Sequence, residues 1–203
     1  MGKLFFKYGT VNSLKSMDLL RTVHNYEEKN FKVVVVKNVQ AGNNENTIYM
    51  GIDGSKSIDY LINDNDVISD ILDGIEVSVI VVDEAQFLTK KQVEDLFFLA
   101  KEKDITVYCY GLKTDFKTRG FTGSIRLFEL ADKIEEITTL CSCGSKAMFN
   151  IRKQNNQPVF DGNQIAIDGF CDITYEQVCG LCYIKKFNES KKVGFTVSEN
   201  IFE

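Results

Sequence analysis

Leu4-Phe5-Phe6-Lys7-Tyr8-Gly9-Thr10-Val11-Asn12-Ser13-Leu14-Lys15-Ser16 sets a short apolar run directly ahead of a loop that opens on glycine and closes on Lys-Ser. A phosphate-binding loop needs three things: backbone N–H groups converging on oxygens, a lysine to supply charge, and a hydroxyl to hold magnesium. Gly9 opens such a turn, Lys15 reaches the terminal phosphates, Ser16 ligates Mg²⁺, and the helix that follows adds its positive end. A second stretch fits the first. Val79-Ile80-Val81-Val82-Asp83-Glu84-Ala85-Gln86-Phe87 puts four β-branched residues ahead of paired carboxylates, so the acids fall at the carboxyl end of a buried strand, where ligands gather in open α/β sheets. Asp83 suits magnesium, and Glu84 suits proton abstraction from a hydroxyl. Leu14 stands where a glycine normally lets the backbone approach the phosphates. An incidental strand-turn-helix and a solvated acid pair are the plainer readings of the same residues.

Outward from these stretches, strands alternate with helices. Leu4-Phe5-Phe6 reads as a strand. Residues 15–29 read as a helix with Met17, Leu20, Val23 and His24 on its apolar stripe. Residues 31–36 are a β-branched run without alternation, predicted to be buried on both faces. Residues 40–46 are polar and loop-like, and 65–72 suggest an amphipathic helix. A second buried strand spans 77–82. Residues 91–101 form a helix facing inward through Val93, Leu96, Phe97 and Ala100. Residues 106–110 form a third strand, and 125–131 an apolar helical stretch. The pattern predicts an α/β fold, a P-loop NTPase-like parallel sheet flanked by helices. Near Thr138 the character changes to cysteine, glycine and short β-like runs, a segment too small for its own core without a metal. The expected division is a nucleotide-binding domain at 1–137, a zinc-binding lobe with a substrate-covering loop at 138–188, and a loose polar tail at 189–203.

With 203 residues, 44% hydrophobic and 26% charged, the composition is that of an ordinary globular chain. A net charge of −5 and a pI near 5.1 argue against a partner in nucleic acid. No apolar stretch is long enough to span a bilayer. The N-terminus lacks a signal-peptide core, and Phe6 stands where a myristoylation signal wants Ser or Thr, so no membrane partner and a cytoplasmic location are expected.

Five of the six cysteines crowd the last third of the chain. Cys179-Gly180-Leu181-Cys182 has metal-knuckle spacing, and its upstream partner is Cys141-Ser142-Cys143, one residue shorter than usual. Four thiolates suit Zn²⁺. The short gap leaves open that Cys171 replaces Cys141 or Cys143, and free thiols in a small core are the plainer alternative. His24 is the only histidine, so a nucleophile paired with histidine has no other position to use.

The order of these pieces resembles the cytosolic, zinc-containing thymidine kinase family. The likeness runs from Leu4 to about Lys186. It rests on residues 9–16, on Asp83-Glu84-Ala85-Gln86-Phe87, and on Cys109-Tyr110-Gly111-Leu112-Lys113-Thr114-Asp115-Phe116. Phe121-Thr122-Gly123-Ser124, Asp132-Lys133-Ile134, the two cysteine pairs, and a closing stretch Gln164-Ile165-Ala166-Ile167-Asp168-Gly169 through Tyr175 complete it. The resemblance implies ATP contacts from Gly9, Thr10, Asn12, Ser13, Lys15, Ser16, Asp83 and Gln86, with Glu84 as general base on a nucleoside 5′-hydroxyl. It implies substrate contacts from Phe121, which stacks on the base, and from Ile167, Gly169 and Tyr175 of the covering loop. It also implies a structural zinc on Cys141, Cys143, Cys179 and Cys182, and thymidine or deoxyuridine as substrate. The remaining implications are Mg²⁺, feedback by dTTP, a homotetramer, and a role in DNA precursor synthesis.

Three positions depart from that family's pattern. Leu14 replaces a loop glycine, residues 38–54 lack the usual Asp-x-Arg and Ser-Arg elements, with Met50-Gly51 in the Ser-Arg place, and Asp168 replaces a glycine of the covering loop. They frame one alternative, a relative that binds nucleotide or assembles without turnover. A separate reading, a zinc ribbon bound to nucleic acid, is disfavoured by the few clustered Lys and Arg residues and the acidic composition.

Overall fold

The computed structural model describes residues 1–39, 47–49, 55–164 and 173–192. The expectations placed on 40–46, Met50-Gly51, Ile167, Asp168, Gly169 and Cys171 lie outside the described residues, as does the tail from 193 onward. Contacts divide the chain into two units. The first comprises Met1–Tyr8, Leu14–Leu112 and Phe121–Ile137; the second comprises Gly9–Ser13, Lys113–Gly120 and Thr138–Glu203.

The first unit is the α/β fold that the alternation predicts. In chain order it holds β1 (Leu4–Gly9), α1 (Lys15–Glu27), β2 (Val33–Asn38), the hairpin β3 (Thr47–Tyr49) and β4 (Ser55–Ser57), then β5 (Tyr60–Ile62) and α2 (Ile68–Ile71). After these come β6 (Val79–Asp83), α3 (Lys90–Glu102), β7 (Thr106–Leu112), α4 (Thr122–Leu130) and β8 (Lys133–Ile137). Six strands form one sheet in the order β5-β2-β6-β7-β1-β8. The pairs β2/β5, β2/β6 and β6/β7 run parallel.

Alternation along each strand builds two layers of core. Leu4, Phe6, Val34, Val36, Ile80, Val82, Val107 and Cys109 face α3 and α4 and meet Val93, Leu96, Ala100 and Leu127. Val35, Val79, Val81 and Tyr110 point the other way, onto Leu19, Leu20 and Val23 of α1. Every residue of β6 is buried, as a continuous apolar run in a parallel sheet requires. Burial also pushes the Cys109 thiol well above its ordinary range, which leaves it a small apolar core group.

Several local expectations are corrected. The buried face of α1 is centred on Leu19, Leu20 and Val23, which turns Met17 and His24 to its flank. The His24 side chain is 70% exposed and lies 3.2 Å from Glu28 one turn on. Phe31 is exposed, and β2 begins at Val33. The helix predicted at 65–72 is the single turn α2. Asp66 Oδ2 accepts the Asn63 N–H at 2.8 Å and Asn63 Oδ1 accepts the Asn65 N–H at 3.0 Å, so short polar side chains divert this backbone into a turn. Helix α3 starts in a capping box: Thr89 Oγ1 accepts the Gln92 N–H while Gln92 Oε1 accepts the Thr89 N–H.

The second unit carries a three-stranded antiparallel sheet, β9 (Phe149–Gln154), β10 (Gln157–Val159) and β11 (Ile173–Val178), in the order β10-β9-β11, followed by α5 (Gly180–Lys192). Asn155 and Asn156, both at positive φ, close the β9/β10 hairpin, a turn that Asn tolerates. Its small core joins Ile151, Phe160, Val178, Tyr183 and Phe187 to Cys141 and Cys179. Helix α5 continues through 189–192, residues assigned above to a loose tail. Ser190 is buried there, its hydroxyl donating to the Phe187 carbonyl at 2.7 Å.

Candidate active site

In the first unit, Asp83 closes β6 and the chain then turns sharply. Glu84 adopts φ 52°, ψ 38°, the left-handed region, ahead of a 3₁₀ turn at Ala85–Phe87. A non-glycine residue is held there only when its surroundings over-determine it, a pattern found at functional sites. Two contacts do so. Gln86, buried, donates from Nε2 to Glu84 Oε2 at 2.5 Å and accepts the Leu112 N–H on Oε1 at 3.0 Å. Helix α4 also presses its first turn onto this backbone. A Cβ on Gly123 would lie 2.5 Å from the Ala85 carbonyl oxygen, so only glycine permits the approach. The amide of Gln86, assigned above to the nucleotide, is thus engaged in orienting Glu84.

Lys15 opens α1 beside these acids. Burial pushes its ammonium below the ordinary lysine range, while the charges of Glu84 and Asp83 oppose the shift. Burial and the neighbouring Glu84 charge hold Asp83 well above the usual carboxylate range, with Lys37 and Lys15 pulling the other way. Among the described residues no side chain caps the N-terminus of α1, and the positive end of the helix dipole there favours an anion. The residue at the N-cap is Leu14, at φ 63°, ψ 29° and 64% exposed. The loop therefore keeps the left-handed conformation that a glycine would adopt freely, and the leucine side chain points to solvent.

Phe121, the residue assigned to base stacking, is buried at the N-cap of α4, with its ring edge-on to Phe87 at 5.5 Å. Ser124 beside it donates to the Leu112 carbonyl at 2.5 Å.

Gly9–Ser13 belongs with the second unit. Ser13 N–H donates to the Thr10 carbonyl at 3.3 Å, and Val11 N–H donates to Asn150 Oδ1 at 2.9 Å. Ser13 Oγ is buried and has no hydrogen-bond partner among the described residues. A buried hydroxyl without a partner is costly and fits a loop shaped to receive phosphate oxygens or a hydrated magnesium ion.

The four cysteine sulfurs Cys141, Cys143, Cys179 and Cys182 lie within 4.8 Å of one another. Cys143 and Cys179 sulfurs stand 3.6 Å apart. Thiolates at about 2.3 Å from a tetrahedral zinc would be about 3.8 Å apart, so the set fits that ion. Both Cys141 and Cys143 reach the cluster despite their short spacing, because Gly144 turns at φ 85° and its N–H donates to the Cys141 carbonyl. The backbone N–H of Ser145, then its hydroxyl, lower the Cys143 thiol to about 6, and the Cys143 N–H lowers Cys141. The Cys182 N–H points at Cys179 sulfur at 3.5 Å. Such donors favour the thiolate, the form that binds metal.

Tyr175 lies opposite Arg152 in the β11/β9 register. Arg152 is buried, with its guanidinium 3.8 Å above the Phe116 ring. It donates to the Tyr175 hydroxyl at 3.1 Å and to the Asn163 and Gln164 carbonyls at 2.8 Å each. One side chain thus ties Tyr175 to the backbone at Asn163 and Gln164. Sequence reading missed Lys37, Asn150 and Arg152. Lys37 had a signal, a lysine closing four consecutive valines; Asn150 and Arg152 sit in a short β-like run that marks neither.

A family model described as thymidine kinase matches residues 2–183. A thymidine kinase of Streptococcus gordonii is 39% identical over 188 residues, covering 91% of this chain and 97% of that protein. One of Streptococcus agalactiae is 37% identical over 182 residues, covering 88% and 95%. One of Streptococcus thermophilus is 36% identical over 195 residues, covering 95% and 97%. Matched over most of its length with such relatives and carrying paired carboxylates and a four-cysteine cluster in the expected order, the chain belongs to the thymidine kinase family.

Proposed function

We propose that this chain transfers the γ-phosphoryl group of ATP to the 5′-hydroxyl of thymidine or deoxyuridine, giving the monophosphate used for DNA synthesis. The observation that carries the reading is the grouping of Lys15, Asp83 and Glu84 around the carboxyl end of β6, within a chain of this family. Glu84, half-buried and oriented by Gln86, accepts the hydroxyl proton. The nucleoside oxygen then bonds to the γ-phosphorus, the bond to the bridging oxygen breaks, and ADP leaves. Lys15 and the positive N-terminal end of α1 offset the charge on the phosphates. Gly9, Thr10, Asn12 and Ser13 supply loop contacts. Ser16 and Asp83 would hold Mg²⁺, which when bound supplies further positive charge.

Phe121 and Tyr175 contact the nucleoside, with Ile167 and Gly169 in the covering loop. Zinc on Cys141, Cys143, Cys179 and Cys182 is structural and staples the lobe at 138–188, while the nucleotide-binding domain spans 1–137. Feedback by dTTP, a homotetramer and a cytoplasmic setting belong to the same proposal and rest on family membership alone. Among the described residues no helix is long and apolar enough to cross a membrane.

The test is transfer of labelled phosphate from ATP to thymidine with Mg²⁺, using zinc-loaded protein. Thymidine monophosphate is the expected product. A folded, zinc-loaded protein that binds ATP and makes none would overturn the reading in favour of a non-catalytic relative.

A further inference from the structure

We infer that Lys37 is a second phosphate-binding cation, contacting the bound nucleotide from the end of β2. The inference rests on the phosphoryl-transfer reading above and adds a contact residue to it.

Strand periodicity fixes where Lys37 points. Val33, Val35 and Lys37 alternate with Val34 and Val36. Val35 belongs to the core layer under α1, while Val34 and Val36 belong to the opposite layer. In β6, Val79 and Val81 belong to the α1 layer and Asp83 follows two residues on. The parallel register pairs Lys37 with Asp83 directly, so both side chains rise on the α1 face at the carboxyl ends of neighbouring strands. Lys15 opens α1 over that face, within electrostatic reach of Asp83 and Glu84.

The backbone under Lys37 is held rigidly. Asn38, fully buried, donates from Nδ2 to the Phe87 carbonyl at 3.2 Å, tying the end of β2 to the turn that presents Glu84. Lys37 itself is only 7% exposed. Burying a lysine is costly unless a negative group compensates it. Lys7, on the same face, meets this demand with Asp18 at 2.7 Å. Lys37 forms no ion pair of that kind among the described residues; its charge acts on Asp83 from farther off. In the free site Lys15 and Lys37 face Asp83 and Glu84, and burial disfavours a full charge on Asp83. A terminal phosphate entering beside Lys15 adds negative charge that one lysine balances only partly, and Lys37 is positioned to take a share of it.

The test compares Lys37→Met and Lys37→Arg with the parent protein, titrating tripolyphosphate, ATP and thymidine separately. Lys37→Met is expected to weaken tripolyphosphate and ATP binding by about tenfold to a hundredfold, the range of a charge-assisted contact, and to leave thymidine binding unchanged. Lys37→Arg is expected to recover most of the loss, and the salt dependence of ATP binding should flatten in Lys37→Met. Unchanged tripolyphosphate affinity in Lys37→Met would overturn the inference. So would an equal loss of thymidine binding, which marks a purely structural role. Failure of the parent protein to make thymidine monophosphate sinks the reaction reading instead, while the tripolyphosphate comparison still judges Lys37.

Discussion

The side-chain carbonyl of Asn150 accepts the Val11 N–H at 2.9 Å, so a buried strand residue of the second unit fixes the middle of the glycine-opened loop. Asn150→Leu keeps the volume and removes the acceptor. The loop would lose one fixed point, and ATP binding is expected to weaken by about threefold to tenfold, the equivalent of one hydrogen bond. Titration of ATP into the variant checks this, with thymidine binding as the control for folding.

Glu84→Gln keeps the shape of the left-handed turn and removes the proton acceptor. Nucleotide binding should persist while the rate of phosphoryl transfer falls by roughly 10²–10⁴-fold, the usual scale for a general base. Single-turnover kinetics read this directly. Full activity in the variant would assign the base to another group.

Leu14 sits in the left-handed region, where a side chain costs about 1–2 kcal/mol. Leu14→Gly relieves that strain but gains unfolded-chain entropy worth about 0.4–1 kcal/mol. A net stabilisation of about 0.5–1 kcal/mol is expected in urea unfolding by that difference, together with tighter ATP binding. Weaker ATP binding would mean that the phosphates take a path shaped around the leucine.

Metal removal should act on the second unit first. Its core is small and includes Cys141 and Cys179 themselves, so stability there depends on the ion. A chelator is expected to lower the melting temperature and open amide exchange in β9, β11 and α5. Cys143→Ser should mimic the chelator. Zinc binding displaces the protons of these thiols, so zinc affinity should fall steadily as pH is lowered.

Asp18 offers a test in acid. Burial alone would raise its carboxyl, but Lys7 at 2.7 Å, the Tyr110 hydroxyl at 3.0 Å and Arg21 outweigh that, so it lies below the usual range. A depressed carboxylate contributes stability above its unfolded value, about 3.9, and loses it as pH falls through the lower folded value. Asp18→Asn is therefore expected to be less stable than the parent at pH 7 by about 1–2 kcal/mol, allowing for solvent screening. The difference should shrink toward pH 2. A gap that stays constant with pH would assign the effect to packing.

The alternating fold was readable because buried parallel strands leave unbroken β-branched runs, as in Val79-Ile80-Val81-Val82. The acid pair and the cysteine spacing were readable because their chemistry depends on residue type and short separations. Helix faces were less so. His24 joined the apolar stripe by spacing alone, and only the depth of Leu19, Leu20 and Val23 against the sheet turned it outward. The helix expected at 65–72 failed because Asn63 and Asp66 bond locally, which hydrophobic periodicity does not register.

By itself the sequence determined the parallel sheet, the glycine-opened loop, Asp83 and Glu84 at a strand end, and four candidate thiolates, because each follows from local pattern. Tertiary structure alone decided which groups act on one another. Gln86 accepts the Leu112 N–H, 26 positions on, Arg152 grips the Asn163 and Gln164 carbonyls, and Lys37 comes into register with Asp83, 46 positions along the chain. Such pairings depend on strand order and register, which are set by the packing of whole faces and leave no mark in the spacing of the residues they join.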